Sequence, residues 1–313
     1  MSVDEHTIDL AGSPAFYRTA SAPDGAASAP GAPALYVHGV PTSSDDWVPF
    51  LERSGGIAPD LIGFGRSGKG GNLDYSIEGL TDFVELLLAE LAVDRVKLVV
   101  HDWGATAGLT FAQRHPERVE RLVLVNAVPL FAAEGVRWHL LARLWLRPGI
   151  GELTMGAISR RILARTLRSG SARPDAWPDA RLDAIWEQFD QGTQRAILRL
   201  YRSADSERLA AAGAGLDAVH APALVLWGDA DPWLPAALGD AYAQQLAQAR
   251  VDHVAGAGHW PWLDRPEVVD RVVSFLAGSG DAASPRASSG DSASFPAGSG
   301  GSASLPAGPE DTA

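Results

Sequence analysis

A carboxylate stands where an apolar strand changes abruptly into a helix. The strand pattern Lys97-Leu98-Val99-Val100-His101 leads into Asp102-Trp103-Gly104, and a helical pattern follows from Ala105 to His115. Such a sharp turn is typical of a nucleophile elbow, which presents one side chain at the top of a sheet beside a helix N-terminus. An aspartate there can displace a leaving group at saturated carbon and form an ester that water hydrolyses. The predicted substrates are therefore epoxides and alkyl halides rather than esters and amides.

Two later loops contain candidate partners for Asp102. His259 follows Gly256-Ala257-Gly258 after the last predicted strand, where its imidazole could activate the water that attacks the ester. Asp231 follows the strand 223–228 and could hold the tautomer of His259 and stabilise its protonated form. Asp229 in the same loop is the alternative acid, but Asp231 lies two residues further past the strand. The order nucleophile, acid, histidine is one that α/β enzymes use.

Alternating strand and helix patterns predict a mostly parallel sheet that is covered by helices. Helices are expected from Ser76, a candidate N-cap, to Leu91 and from Glu267 to Leu276. The predicted strands are 34–38, 57–61, 97–101, 121–126, 223–228 and 251–255.

Strand patterns stop between Pro129 and about Gly215, where helical spacing occurs in 137–146, 181–189 and 193–202. An all-helical insertion after a core strand predicts a cap over the carboxyl ends of the strands, where it would exclude water. The predicted organisation is an α/β core formed by residues 1–128 and 216–277, a helical cap formed by 129–215, and a tail formed by 278–313. The tail consists mainly of Gly, Ser, Ala and Pro and is predicted to be disordered.

The composition limits the partners of the 313-residue chain. A formal net charge of −12 disfavours nucleic acid and anionic membrane surfaces as partners. Cysteine is absent, which excludes disulfides, zinc-thiolate sites and a cysteine nucleophile. No apolar stretch approaches the roughly 18 residues of a membrane span. We expect a cytoplasmic protein whose partners are a small apolar substrate and water, with no cofactor and no metal.

Five segments, in this order, resemble the epoxide hydrolase and haloalkane dehalogenase branch of the α/β-hydrolase superfamily. They are His38-Gly39-Val40-Pro41-Thr42-Ser43-Ser44, Asp60-Leu61-Ile62-Gly63-Phe64-Gly65-Arg66-Ser67, His101-Asp102-Trp103-Gly104, Trp227-Gly228-Asp229-Ala230-Asp231-Pro232 and Gly256-Ala257-Gly258-His259. The resemblance implies the α/β-hydrolase fold with an inserted helical cap, and it places Asp231 at the family's acid position. It also implies an oxyanion hole formed by the backbone N–H groups of Val40 and Trp103, with a possible cis bond at Pro41.

The two chemistries of this branch differ in the groups that stabilise the leaving group. Dehalogenases hold the halide with the indole of the Trp after the nucleophile, here Trp103, and with a second donor. That donor is an Asn at the position of Val40, which has no side-chain donor, or a cap tryptophan. The cap tryptophans are Trp138, Trp145, Trp177 and Trp186.

Epoxide hydrolases protonate the opening ring oxygen with cap tyrosines, usually two. Tyr201, within Leu200-Tyr201-Arg202, resembles the second of these, and it is the one tyrosine in the predicted cap. The first has no clear counterpart, although His139 or Trp138 could replace it.

The residues around the elbow do not indicate which of the two reactions the protein catalyses. Val100 and Ala105 resemble dehalogenases, whereas Val40 and Tyr201 resemble epoxide hydrolases. The predicted function is an epoxide hydrolase with Asp102, Asp231 and His259 as its triad, and the first alternative is a dehalogenase of alkyl halides or haloacids. Two further alternatives are another hydrolase or lyase that uses Asp102 differently and a non-catalytic binding protein.

Overall fold

An eight-stranded sheet forms the centre of the computed structural model, which describes residues 2–21, 31–131 and 140–278. The strands are β1 (Asp4–Leu10), β2 (Ser13–Ala20), β3 (Ala34–Val37), β4 (Gly56–Pro59), β5 (Val96–Asp102), β6 (Val119–Ala127), β7 (Ala223–Gly228) and β8 (Ala249–Val254). Their order is β1-β2-β4-β3-β5-β6-β7-β8. The pairs β1–β2 and β2–β4 are antiparallel and the other neighbours are parallel.

The six predicted strands are present, with bounds that differ by at most two residues from the predicted ones. Their side chains are mostly buried, as expected of parallel strands that are covered on both faces. The hairpin of β1 and β2 was not predicted. It turns at Ala11 and Gly12, whose φ values of 52° and 83° are both positive, as a two-residue hairpin turn with right-handed twist requires.

Helices connect the parallel strands and pack against them. Those that belong to the sheet-containing part are α1 (Val48–Ser54), α2 (Ile77–Glu90), α3 (Gly104–Arg114) and, after β7, α10 (Ala237–Gln245), α11 (Pro261–Asp264) and α12 (Glu267–Leu276). The hydroxyl of Ser76 accepts a hydrogen bond from the N–H of Gly79 and so caps α2, as predicted. The helix α3 packs on α2 and on β5, and α10 packs on β7 and β8.

Between β6 and β7 the described residues form helices and turns but no strand. These helices are α4 (Leu140–Trp145), α5 (Ile150–Gly156), α6 (Arg160–Ser169), α7 (Asp179–Gln188), α8 (Gln191–Ser203) and α9 (Ser206–Ala212), and we call residues 140–218 the helical insertion. The predicted helices 181–189 and 193–202 correspond to α7 and α8, and the predicted helix 137–146 corresponds in part to α4. Residues 137–139 of that predicted helix lie outside the described residues. The predicted tail also lies outside them, apart from Gly278.

Hydrogen bonds and ion pairs join α7 and α8 to loops of the sheet-containing part. Arg181 forms a 2.5 Å ion pair with Asp46, which is buried at 1% exposure, and Lys69 bonds to Asp190 and to the carbonyl of Gln188. These contacts hold α7 and α8 beside the carboxyl ends of the strands. Across the described part of the chain, no helix has the length and apolarity needed to cross a bilayer.

Candidate active site

Asp102 is the last residue of β5, and α3 begins two residues later. Its φ of 48° lies in the left-handed region, a strained conformation for a non-glycine residue that often marks functional sites. Gly104 makes the turn possible, since a Cβ there would lie 2.4 Å from the carbonyl oxygen of His38. The elbow therefore holds Asp102 at the carboxyl edge of the sheet, where the residue is 7% exposed.

Two backbone N–H groups point at the Asp102 carboxylate. The N–H of Val40 donates to Oδ2 at 2.9 Å, and the N–H of Trp103 donates to the same carboxylate. Gly39 permits this approach, because a Cβ on it would lie 2.7 Å from Oδ2. The Val40–Pro41 peptide bond is cis. Burial raises the pKa of Asp102, and the opposing effects of His259 and the two N–H groups do not cancel that rise.

His259 lies between the two carboxylates proposed as its partners. Its Nδ1 is 2.7 Å from Oδ2 of Asp231, and its Nε2 is 3.6 Å from Oδ1 of Asp102. The bond to Asp231 places the proton of a neutral imidazole on Nδ1 and leaves the Nε2 lone pair facing Asp102. Asp229, the alternative acid, instead accepts a hydrogen bond from the N–H of Gly256 at 2.7 Å and is exposed.

Backbone and side-chain donors fix Asp231 in a buried position. Its Oδ1 accepts from the N–H groups of Trp233 (2.8 Å) and Leu234 (3.1 Å), and its Oδ2 accepts from the side-chain amide of Asn126 (2.7 Å). Burial opposes ionisation of Asp231, but His259 and these donors hold its pKa below the usual value. Burial likewise opposes protonation of His259, yet the charges of Asp231 and Asp102 raise its pKa above the usual value.

Asn126 belongs to the candidate site through its hydrogen bond to Asp231, and its sequence position alone did not indicate this. It lies near the end of β6 with a φ of 38°, and its side-chain oxygen also accepts a hydrogen bond from the N–H of Gly228. The sheet order places β6 beside β7, and the loop that contains Asp231 follows β7. A polar residue at the carboxyl end of β6 could therefore have been predicted to lie close to Asp231.

The loop that carries His259 is attached to the helical insertion by backbone hydrogen bonds and by the buried carboxylate of Asp264. Asp264, 1% exposed, accepts from the N–H groups of Gly258 (2.7 Å), Ala172 (3.0 Å) and Arg173 (2.9 Å). The N–H of His259 donates to the carbonyl of Gly170 at 2.7 Å. One buried carboxylate thus joins the histidine loop to the segment between α6 and α7.

His101 supports the same loop from the sheet side. Its Nε2 lies 2.9 Å from the carbonyl oxygen of His259 and must carry the proton, because a carbonyl only accepts. Burial and the neighbouring His259 lower the pKa of His101, which keeps its ring neutral. Its ring centroid is 4.8 Å from that of His259.

A cavity of about 830 Å³, its opening to solvent included, lies between the strand ends and the helical insertion. The polar side chains in its wall are those of Asp102, His259, Tyr201 and Thr166, together with the indoles of four tryptophans. The tryptophans are Trp103, Trp145, Trp233 and Trp260, and the other lining residues are Val40, Pro41, Val128, Ile158, Ile162, Leu163, Leu167, Phe189, Ile197 and Leu234. The cavity therefore suits a small, largely apolar molecule whose reacting carbon meets Asp102.

Tyr201 lies in α8 and contacts Trp103. Their ring centroids are 4.6 Å apart, and the Trp103 side chain is hydrogen-bonded to the Tyr201 hydroxyl. Burial and the Asp102 charge raise the pKa of Tyr201 far above its usual value, so its hydroxyl keeps its proton. A protonated hydroxyl close to the carboxylate can donate to negative charge that develops beside Asp102.

The tryptophans of the insertion differ in their relation to the cavity. Trp145 lines it and makes a T-shaped contact with Tyr201, with 5.4 Å between the centroids. Trp177 donates from its indole to the Ser171 hydroxyl and packs on Trp260, and Trp186 stacks on Phe189. Trp138 and His139 lie outside the described residues. Within residues 2–21, 31–131 and 140–278, no cluster of three or more His, Asp or Glu side chains could hold a metal ion.

Comparison with known proteins identifies relatives with the same architecture. A family model described as "alpha/beta hydrolase fold" matches residues 33–266. Epoxide hydrolase 1 of Caenorhabditis elegans is 26% identical over 262 residues, which are 77% of this chain and 64% of that protein. A haloalkane dehalogenase of Mycolicibacterium paratuberculosis is 30% identical over 262 residues, covering 78% of this chain and 83% of the relative.

A solved structure with the same fold also resembles this chain. A haloalkane dehalogenase from Bradyrhizobium elkani superposes with a TM-score of 0.75 at 25% identity, and the match covers 90% of this chain and all of the other. The alignment with the nematode enzyme, in contrast, spans less than two thirds of that relative's length.

Proposed function

Because the chain belongs to the α/β-hydrolase fold family, in the branch of epoxide hydrolases and haloalkane dehalogenases, we propose that it opens an apolar epoxide through an ester on Asp102. The observation that carries the choice of epoxide is the protonated Tyr201 hydroxyl in the cavity wall with Asp102. The net reaction adds one water to the epoxide and yields a 1,2-diol. We also propose that the helical insertion acts as the cap and that the protein is cytoplasmic.

The first step forms a bond between Oδ1 of Asp102 and an epoxide carbon while the carbon–oxygen bond of the ring breaks. We assign Oδ1 because Oδ2 is engaged by the Val40 N–H, whereas Oδ1 faces His259. The ring oxygen leaves as an alkoxide and takes the proton of Tyr201. The indole of Trp103 is hydrogen-bonded to that hydroxyl, and so it stabilises the phenolate that results.

The second step hydrolyses the ester. Nε2 of His259 removes a proton from water, and the hydroxide attacks the carboxyl carbon of Asp102. Negative charge then develops on Oδ2, which the Val40 N–H already contacts and to which the Trp103 N–H can also donate. Asp231 stabilises the imidazolium until the tetrahedral intermediate collapses and the departing diol oxygen takes the proton from Nε2 of His259. Asp102 is left as a carboxylic acid, and its proton returns through solvent to the Tyr201 phenolate.

Dehalogenation of an alkyl halide is the second candidate, and the dehalogenase relatives favour it. The same triad would produce an alcohol, a halide ion and a proton. The indole of Trp103 would hold the halide, but it is hydrogen-bonded to Tyr201, and Val40 supplies no side-chain donor beside it. This pairing supports the epoxide reading over the halide reading.

The test is a turnover screen of small epoxides and bromoalkanes with diol and bromide measured in parallel, using the wild type and Tyr201→Phe. We expect diol formation by the wild type and a loss of about 10²-fold or more in the variant. Tyr75→Phe is the matched control, since it also removes a tyrosine hydroxyl. That hydroxyl donates to the carbonyl oxygen of Gly70, and Tyr75 does not line the cavity. Bromide release without diol formation, or wild-type rates in Tyr201→Phe, would refute the epoxide proposal.

A further inference from the structure

Apolar side chains are exposed together at the turn from α4 to α5. Leu146, Ile150 and Leu153 are 38%, 43% and 76% exposed, and we call these three residues the apolar tip. Ile150 and Leu153 are three positions apart in α5 and so share one side of that helix, and Leu146 lies in the turn that precedes it. Among the described residues one further large hydrophobic side chain of the insertion, Ile162, and one of the sheet-containing part, Leu86, are similarly exposed.

The surroundings of the apolar tip are cationic. Arg143 and Arg147 are exposed, and neither forms an ion pair with another described residue. The one acidic residue of this segment, Glu152, is neutralised by Arg202, which binds it at 2.6 and 2.9 Å. Residues 140–170 contain six arginines and one glutamate, although the whole chain has a net charge of −12. Arg160 and Arg168 are paired with Asp179 and Asp183 of α7, whereas Arg143 and Arg147 next to the apolar tip are exposed. The acidic excess of the whole chain is therefore absent from residues 140–170.

The apolar tip adjoins the wall of the cavity. Trp145, the neighbour of Leu146, lines the cavity, and so does Ile158, which follows α5. Ile162 of α6 both lines the cavity and is 43% exposed, so the apolar lining reaches the outer surface of the insertion at this residue. The apolar tip is thus joined to the cavity wall through the neighbouring residues Trp145 and Ile158.

We propose that the apolar tip and its two arginines dock on the surface of a bilayer that contains anionic lipids, from which an apolar epoxide enters the cavity. Exposed Leu and Ile side chains enter the boundary between headgroups and acyl chains, and arginines beside them bind lipid phosphates. The link to the substrate rests on the proposed function, whereas docking itself rests on the surface. A second copy of the chain is a poorer occupant, because two copies of the tip would bring like charges together.

The test is flotation of the full-length protein with vesicles of equimolar phosphatidylglycerol and phosphatidylcholine, compared with phosphatidylcholine alone. We expect binding to the anionic vesicles that weakens with added salt. Arg143→Gln with Arg147→Gln should weaken it by about 30-fold, from about fivefold per cation near an anionic surface. Ile150→Ser with Leu153→Ser should reduce it at least as much. Leu86→Ser is the control, because it removes an equally exposed leucine from α2 and should leave binding unchanged.

Three results would overturn the proposal: no flotation of the wild type, equal loss in Leu86→Ser, or unchanged binding in both double variants with native circular dichroism. Light scattering that shows a dimer dissociated by Ile150→Ser with Leu153→Ser would also overturn it in favour of self-association. Flotation needs no turnover, so a failed epoxide screen and a failed docking experiment are separate results.

Discussion

Replacing Asp264 with Asn should disturb the position of the His259 loop while leaving the histidine itself unchanged. Asp264 accepts three backbone N–H groups, two on Oδ2 (Gly258, buried, and Ala172, partly buried) and one on Oδ1 (Arg173, partly buried). An Asn side chain has one oxygen, so the better of its two orientations satisfies the first pair and leaves the Arg173 N–H facing an NH₂ group. Loss of this partly buried hydrogen bond should lower the free energy of unfolding by about 0.5–1.5 kcal/mol.

The expected kinetic effect falls on one half-reaction. Formation of the ester needs Asp102 and the leaving-group donor, whereas its hydrolysis needs His259, whose loop Asp264 holds. We therefore expect Asp264→Asn to slow ester hydrolysis more than ester formation, so that the Asp102 adduct accumulates during turnover. Denaturant unfolding measures the stability, and rapid quenching followed by intact-mass spectrometry measures the adduct.

Asp229→Asn is the matched control because it changes the same residue type in the neighbouring acid loop. Its carboxylate is exposed and accepts one backbone N–H, from Gly256, which water can satisfy instead. Its stability should change by no more than about 0.5 kcal/mol. Equal stability of the two variants, together with equal adduct levels, would refute the role assigned to Asp264.

Three further outcomes test the chemistry. Asp102→Asn should abolish turnover with an unchanged fold, provided that mass spectrometry excludes deamidation back to Asp; near-wild-type turnover would contradict the covalent step. His259→Gln should trap a stoichiometric adduct on Asp102 when substrate is added, and normal turnover would show that His259 is not the base. Lowering the pH from about 8 to 5 should slow ester hydrolysis as His259 becomes protonated, since the charge of Asp231 raises its pKa despite burial. The apparent pKa should lie below that of His259 in the free enzyme, measured by NMR, because the ester has lost the charge of Asp102; a pH-independent rate would contradict this.

Much of the fold could be predicted because local patterns determine it. The apolar runs of the parallel strands and the motif order indicated the fold, and the family model confirms the α/β-hydrolase fold. The hairpin of β1 and β2 was missed, since its edge strand β1 is mostly polar and exposed and so has no continuous apolar run. The division into core and cap and the roles of the site residues remain predictions.

The parts of the site that escaped prediction depend on long-range packing. Asn126 contacts Asp231 from 105 positions away, and Asp264 reaches the segment 172–173 from 91 positions or more. Neither residue belongs to a recognisable motif for its contact. The partnership of Tyr201 with Trp103 likewise requires α8 to lie over the elbow, which the helical spacing of α8 alone does not specify.

Val40 is hydrogen-bonded to Asp102 through its main-chain N–H and not through its side chain. Because the N–H contacts Asp102 and residue 40 lines the cavity, a change of this side chain leaves the backbone contact in place. A polar side chain at this position would add a hydrogen-bonding group to the cavity wall beside Asp102. Evolution can therefore alter the wall next to this carboxylate one side chain at a time on an unchanged backbone.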